Sequence, residues 1–131
     1  MPRPPFLSGM LRAPERPYAL EHTRSGRLLA SRVEFALDSK SRRRGLLGRD
    51  VFDRGSAIVI APCSAIHTFF MRFAIDVVFV ARDGRVLKTY VAVPPRRIAF
   101  SLAAFAVIEF PAGAISGLHV TPGDIVRLVD A

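Results

Sequence analysis

Two apolar runs around a single Asp-Gly step constrain this chain more than any other feature. Ile75 to Ala81 and Arg85 to Val93 are rich in β-branched residues, and Arg82-Asp83-Gly84 between them supplies the positive backbone dihedrals of a tight turn. The pair predicts an antiparallel hairpin, which Pro94-Pro95 ends. Other segments keep the same rhythm. Tyr18 to Thr23 and Arg27 to Leu37 read as strands around Arg24-Ser25-Gly26, with Val33, Phe35 and Leu37 alternating against Arg32, Glu34 and Ala36. Ala57 to Ala61 is a continuous apolar run stopped by Pro62, as expected for a strand buried on both faces. Phe105 to Phe110 and Ile125 to Val129 complete the set, the latter after the turn Thr121-Pro122-Gly123-Asp124. Asp38 or Ser39 can cap a short helix over residues 39–47, closed by Gly45 and Gly48, and a helical turn is expected near Ala114 to Leu118. About eight short strands and two short helices, punctuated by Gly and Pro, indicate a mainly β fold: a β-sandwich or a partly open barrel.

A chain of 131 residues suits one domain, expected over residues 18–131, behind a flexible Pro/Arg-rich tail at 1–17. The formal charge of +8 matters less than where it sits. Residues 1–49 hold 11 Lys+Arg against 4 Asp+Glu, whereas residues 50–131 hold 8 against 7, so the domain body is nearly neutral. Nucleic-acid binding is therefore not expected. The start of the chain has no apolar segment of the length a secretory signal needs, and no run approaches the ~20 residues of a membrane helix. A soluble, cytoplasmic protein is expected. The single cysteine, Cys63, excludes an intramolecular disulfide.

The chemistry-bearing side chains concentrate in Cys63 to Asp76, CSAIHTFFMRFAID. Helical periodicity splits this stretch into an apolar side and a side with His67, Thr68, Arg72 and Asp76, but its β-rich composition favours strand, turn, strand. In an extended strand Cys63 and His67 stand about 13 Å apart, which rules out a local Cys-His dyad and leaves Cys63 as a small buried hydrophobe. His22 and His119 have no partners at metal-ligand spacing, so neither a metal nor a cofactor is expected. The Arg42-Arg43-Arg44 triplet reads as a solvated face. Arg72, Asp76 and Glu109 would need partners if buried. They form either structural contacts or, for His67, Thr68, Arg72 and Asp76, the polar lining of a pocket walled by Phe69 and Phe70.

Several linked motifs carry a resemblance. Residues 44–49 (RGLLGR), 66–79 (IHTFFMRFAIDVVF), Asp83-Gly84, Glu109 to Gly113 (EFPAG) and Pro122-Gly123-Asp124 resemble, in order from about Leu28 to Leu128, the bacterial and archaeal family called domain of unknown function 192. The resemblance implies a mainly β, jelly-roll-like sandwich. It also implies a break near Ala74, where members usually have proline, and a narrower pocket beside Phe70, where relatives often have glycine or tryptophan. Some members are exported or lipid-anchored, and the family supplies no activity. The function expected is a non-enzymatic binding or accessory module for a small ligand or partner peptide, with His67, Thr68, Phe70, Met71, Arg72 and Asp76 as candidate ligand-binding residues. The alternative is a small hydrolase or transferase, with Asp76 or Glu109 as general base, His67 as acid and Arg72 as electrostatic stabiliser. A third expectation docks the basic N-terminal third on a polyanion or an anionic membrane.

Overall fold

The computed structural model describes residues 3–131. The elements run α1 (Ser8–Arg12), β1 (Tyr18–His22), β2 (Arg27–Ala30), β3 (Arg32–Ala36), α2 (Ser39–Arg44), β4 (Ser56–Ile60), β5 (Ala65–His67), β6 (Ile75–Val80), β7 (Val86–Val93), β8 (Ile98–Phe100), β9 (Ala106–Pro111), a short 3-10 helix (Ser116–Leu118) and β10 (Val126–Asp130). The fold is mainly β, with ten strands among the described residues. Its centre is a five-stranded sheet in the order β3-β4-β9-β6-β7, in which β3 and β4 run parallel and the other neighbours antiparallel.

Both faces of that sheet are covered, which explains the unbroken apolar runs of β4 and β6. On one face Ala57, Val59, Val78, Val80, Ile108 and Phe110 pack with Leu20, Leu29 and Val126 of the three-stranded sheet β10-β1-β2. On the other face Ile58, Ile60, Val77, Phe79 and Val107 pack beneath Leu46, Met71 and Ala99, under the two-stranded ribbon β5-β8. A strand in a layer covered on both sides has no solvent face, so every residue of β6 is buried. The chain of contacts needs little help from polar groups, and its hydrophobic burial supplies the main driving force.

The Asp83-Gly84 hairpin forms as the sequence requires. Gly84 has φ +85°, and a Cβ there would strike the carbonyl oxygen of Val126, because the turn docks on β10 through the Val126 N–H and the Gly84 carbonyl, 3.0 Å apart. Asp38 caps α2 by accepting from the Ser41 N–H at 2.7 Å. The stretch from Cys63 to Asp76 is strand, turn, strand.

Three expectations need correction. Arg27 to Leu37 is two strands, broken at Ser31, where the N–H groups of Ser31 and Arg32 both donate to the Gly55 carbonyl and the chain changes sheet. β8 was not anticipated, because three residues after Pro94-Pro95 carry too little pattern to be read. The N-terminal segment expected as a flexible tail is folded onto the domain. Phe6, Leu7 and Met10 are buried in the core between the central and three-stranded sheets, and the Phe6 N–H donates to the Arg82 carbonyl. Tyr18 fixes α1 by donating its hydroxyl to the Ala13 carbonyl at 2.8 Å. The first two residues of that expected tail lie outside the described residues.

Candidate functional site

Asp76 is the second residue of β6, on the face towards the three-stranded sheet and opposite Phe110 of β9. The β6–β7 register shifts there: Ile75 faces Val93 and Val77 faces Tyr90, leaving an extra residue on β7. Ala92 takes a φ of +52°, and its N–H donates to Asp76 Oδ1 at 2.8 Å. Oδ2 accepts from the N–H groups of Gly113 (2.9 Å) and Ile115 (3.2 Å). Asp76 thus gathers three backbone donors from two chain segments, is fully buried, and has no access to a ligand. Thr68 is engaged in the same way. Its hydroxyl donates to the Pro94 carbonyl at 2.7 Å and accepts from the Arg97 N–H at 2.9 Å, fastening the 94–97 loop to the end of β5. Arg72 extends into solvent and pairs with Asp50. Phe70 holds φ +68° with its side chain 86% exposed, so it walls no enclosed pocket.

His67 and Met71 belong elsewhere. They line a groove of about 570 Å³ on the other face of the central sheet, between α2 with its following turn and β5. Arg42, Arg43 and Arg44 form one rim, Leu46, Ile60 and Ile66 contribute apolar wall, and Cys63 and Glu109 complete the lining. Glu109 is the unusual member. It stands on β9 beside Ile58 of β4 and Val77 of β6 and is only 5% exposed; its carboxyl makes no hydrogen bond or ion pair with another protein group among the described residues, and its oxygens stay open to the groove. Burial pushes its pKa up to about 7, against the weaker pull of the Arg49 cation. Arg49 itself is held in a bidentate pair with Glu34, at 2.8 and 3.2 Å. Gly45, at φ +45°, ends α2 over this carboxyl, and a Cβ built on it would lie 3.9 Å from Glu109 Oε1.

Cys63 is half-buried and lines the groove, which corrects its reading as a buried hydrophobe. Desolvation pushes its thiol pKa up, and the thiol donates to the Ala65 carbonyl at 3.2 Å. Raising a thiol's pKa suppresses the thiolate, so the groove does not activate Cys63 as a nucleophile. The arginine triplet is both a solvated face and a rim: Arg43 and Arg44 are exposed, while Arg42 donates to the Pro62 carbonyl at 3.0 Å. No group of three His, Cys, Asp or Glu residues lies close enough to hold a metal ion among the described residues.

Of the six candidate residues, then, the fold brings His67 and Met71 together with Glu109. Thr68 and Asp76 are committed to backbone donors and acceptors, Arg72 is paired at the surface, and Phe70 projects outward. The sequence signal for the groove was the lone Glu in the apolar strand FAVIEF. Which face that Glu occupied depended on register alone. In the basic N-terminal third, Arg3, Arg24 and Arg49 are engaged with Asp83, Asp124 and Glu34. Arg24 is the main cause that holds the Asp124 carboxyl well below its ordinary range, with the His22 ring as a further partner at 2.8 Å. No helix is long and apolar enough to cross a membrane among the described residues.

The model of a family described as uncharacterized ACR, domain of unknown function 192, matches residues 20–128. No curated protein matches the chain. Two solved structures share the fold. A candidate transcription regulator from Sinorhizobium meliloti 1021 superposes with a TM-score of 0.74 at 24% identity, covering 86% of this chain and 92% of its own. A protein of unknown function from Novosphingobium aromaticivorans DSM 12444 gives 0.72 at 24% identity, over 85% and 83%.

Proposed function

The chain belongs to the family of domain of unknown function 192, and on that premise we propose that it is a binding module whose groove holds a small polar ligand between Glu109 and the arginine rim of α2. The observation that carries this reading is the state of Glu109: a residue only 5% exposed, whose carboxyl has no protein partner among the described residues and opens onto the groove. A carboxyl with little access to water and no protein partner costs stability, and its free oxygens are available to a ligand in the groove. With a pKa near 7, Glu109 can donate a hydrogen bond from its protonated form or accept one when ionised. Arg43 and Arg44 favour an anionic group at the opposite rim, and Leu46, Ile66 and Met71 offer contact to an apolar stem. The ligand chemistry that fits is a small organic acid carrying an N–H or O–H group some atoms away from its carboxylate.

Calorimetric titration with a panel of hydroxy, amino and keto acids tests this. A saturable binder that Glu109→Gln and His67→Ala each weaken at least tenfold is expected. A panel with no saturable binder, or a binder indifferent to Glu109→Gln, would overturn the reading.

One observation favours a hydrolase or transferase as the second reading. Glu109 titrates where a general acid-base group works best, and the His67 imidazole lines the same groove. Asp76 has no place in it, since its oxygens are spent on three backbone donors on the far face of the sheet. Turnover of a bound acid, lost in Glu109→Gln while binding persists, would favour this reading over the first.

A further inference from the structure

The outer face of the β5–β8 ribbon is apolar and uncovered. In an antiparallel pair, residues directly opposite share a face. The register sets His67 against Ile98 and Ala65 against Phe100, and all four are exposed, while Ile66 and Ala99 turn inward. The Phe69 ring continues this face, 5.8 Å from the His67 ring. A protruding side chain stands at each end: Phe70, 86% exposed, in the turn after β5, and Leu102, 84% exposed, in the turn after β8. Soluble surfaces seldom gather large apolar side chains at this density without something to cover them.

The charged groups seen against the rings of this face are cations. Lys88 Nζ sits 4.6 Å from the Phe100 ring centroid and 4.9 Å from that of Tyr90. Arg96 lines an open recess of about 700 Å³ with Phe69, Phe70, Met71 and Pro95, and Arg97 follows it into β8; neither makes an ion pair among the described residues. Arg72, in the turn that follows Phe70, is already paired with Asp50. Projecting aromatic and aliphatic tips suit a medium that deforms around them, and a collar of unpaired cations suits negative headgroups.

We propose that the β5–β8 face docks on an anionic lipid bilayer, inserting Phe70 and Leu102 to the depth of the headgroups while Lys88, Arg96 and Arg97 meet phosphate. This surface is distinct from the basic N-terminal third; it shares Ala65 and His67 with the wall of the groove, but docking does not require the groove's ligand.

Co-sedimentation of the full chain with phosphatidylglycerol-containing vesicles and with pure phosphatidylcholine vesicles tests it. Binding to the anionic vesicles, reduced at least tenfold by Phe70→Ser/Leu102→Ser and by Arg96→Gln/Arg97→Gln, and weakened by salt, is expected. Both pairs of side chains are solvent-facing, and far-ultraviolet circular dichroism confirms that the variants fold. Glu109→Gln should bind vesicles as the wild type does, which separates this test from that of the groove. No sedimentation with anionic vesicles at low salt would overturn the proposal. So would binding that both double variants leave intact, which would place the contact elsewhere on the basic surface. A dimer dispersed by Phe70→Ser/Leu102→Ser would overturn it too, giving the face to a second copy of the chain.

Discussion

Asp76 and Glu109 are neighbours across β6 and β9, one register step apart, yet they face opposite layers of the molecule. Asp76 looks towards the three-stranded sheet, where the β7 bulge and the loop after β9 close around it with three backbone N–H groups. Glu109 looks towards α2, where the cover stops short and leaves a groove onto which its carboxyl opens, without a hydrogen bond from another protein group among the described residues. Burial takes all solvent from Asp76 and most of it from Glu109. Protein donors compensate only the first, so Asp76 organises the fold while Glu109 weakens it and faces the space where a ligand could bond to its free oxygens.

The largest test of that contrast is Asp76→Ala. Three buried donors would lose a shared acceptor at about 1–3 kcal/mol each, partly offset by relaxation, so a loss of about 4 kcal/mol in denaturant unfolding is expected. A loss below about 1 kcal/mol would show that the loops around Asp76 hold without it.

The pH dependence of Glu109 comes next. Its folded pKa of about 7 lies above its ordinary 4.5, so the folded chain keeps a proton that the unfolded chain releases. Its contribution is most favourable below pH 4.5, fades as pH rises, and is fully lost above about 7, a swing of about 3 kcal/mol at 1.36 kcal/mol per pKa unit. Wild type and Glu109→Gln should therefore match in stability near pH 4.5 and separate towards pH 8, with the variant the more stable. Comparing the two curves cancels the acids whose pKa values are lowered, such as Asp38 at its helix cap. Parallel curves would mean that Glu109 finds a partner in solution.

Thr68→Val asks whether satisfaction of a buried group is the criterion in general. The Pro94 carbonyl and Arg97 N–H would each lose a partner, and a loss of about 2 kcal/mol in the same unfolding measurement is expected. The smallest effects belong to His67→Ala and Arg72→Ala. Both side chains are exposed, and changes within about 0.5 kcal/mol are expected on thermal unfolding, although His67→Ala should still impair ligand binding. A large destabilisation by His67→Ala would move it from the groove's lining to the fold's framework.

Much of the architecture was legible because local chemistry and tertiary environment agreed. The Asp83-Gly84 turn, the strands on either side and the Asp38 cap needed no distant information. The break at Ser31 was not legible: alternation runs through it unchanged, and only the Gly55 carbonyl beside it shows where the chain leaves one sheet for another. The burial of Phe6, Leu7 and Met10 was equally hidden, since a five-residue helix has too few turns for a periodic stripe and is held by the core it covers.

The family, the mainly β class and the polar residues worth weighing were determined by the sequence, since turn chemistry and apolar period act over a few residues. Which of those residues became scaffold and which became site was decided by tertiary structure. A strand alternates its faces with every residue, so one step of register sends Asp76 into a closed knot of backbone donors and Glu109 into an open groove.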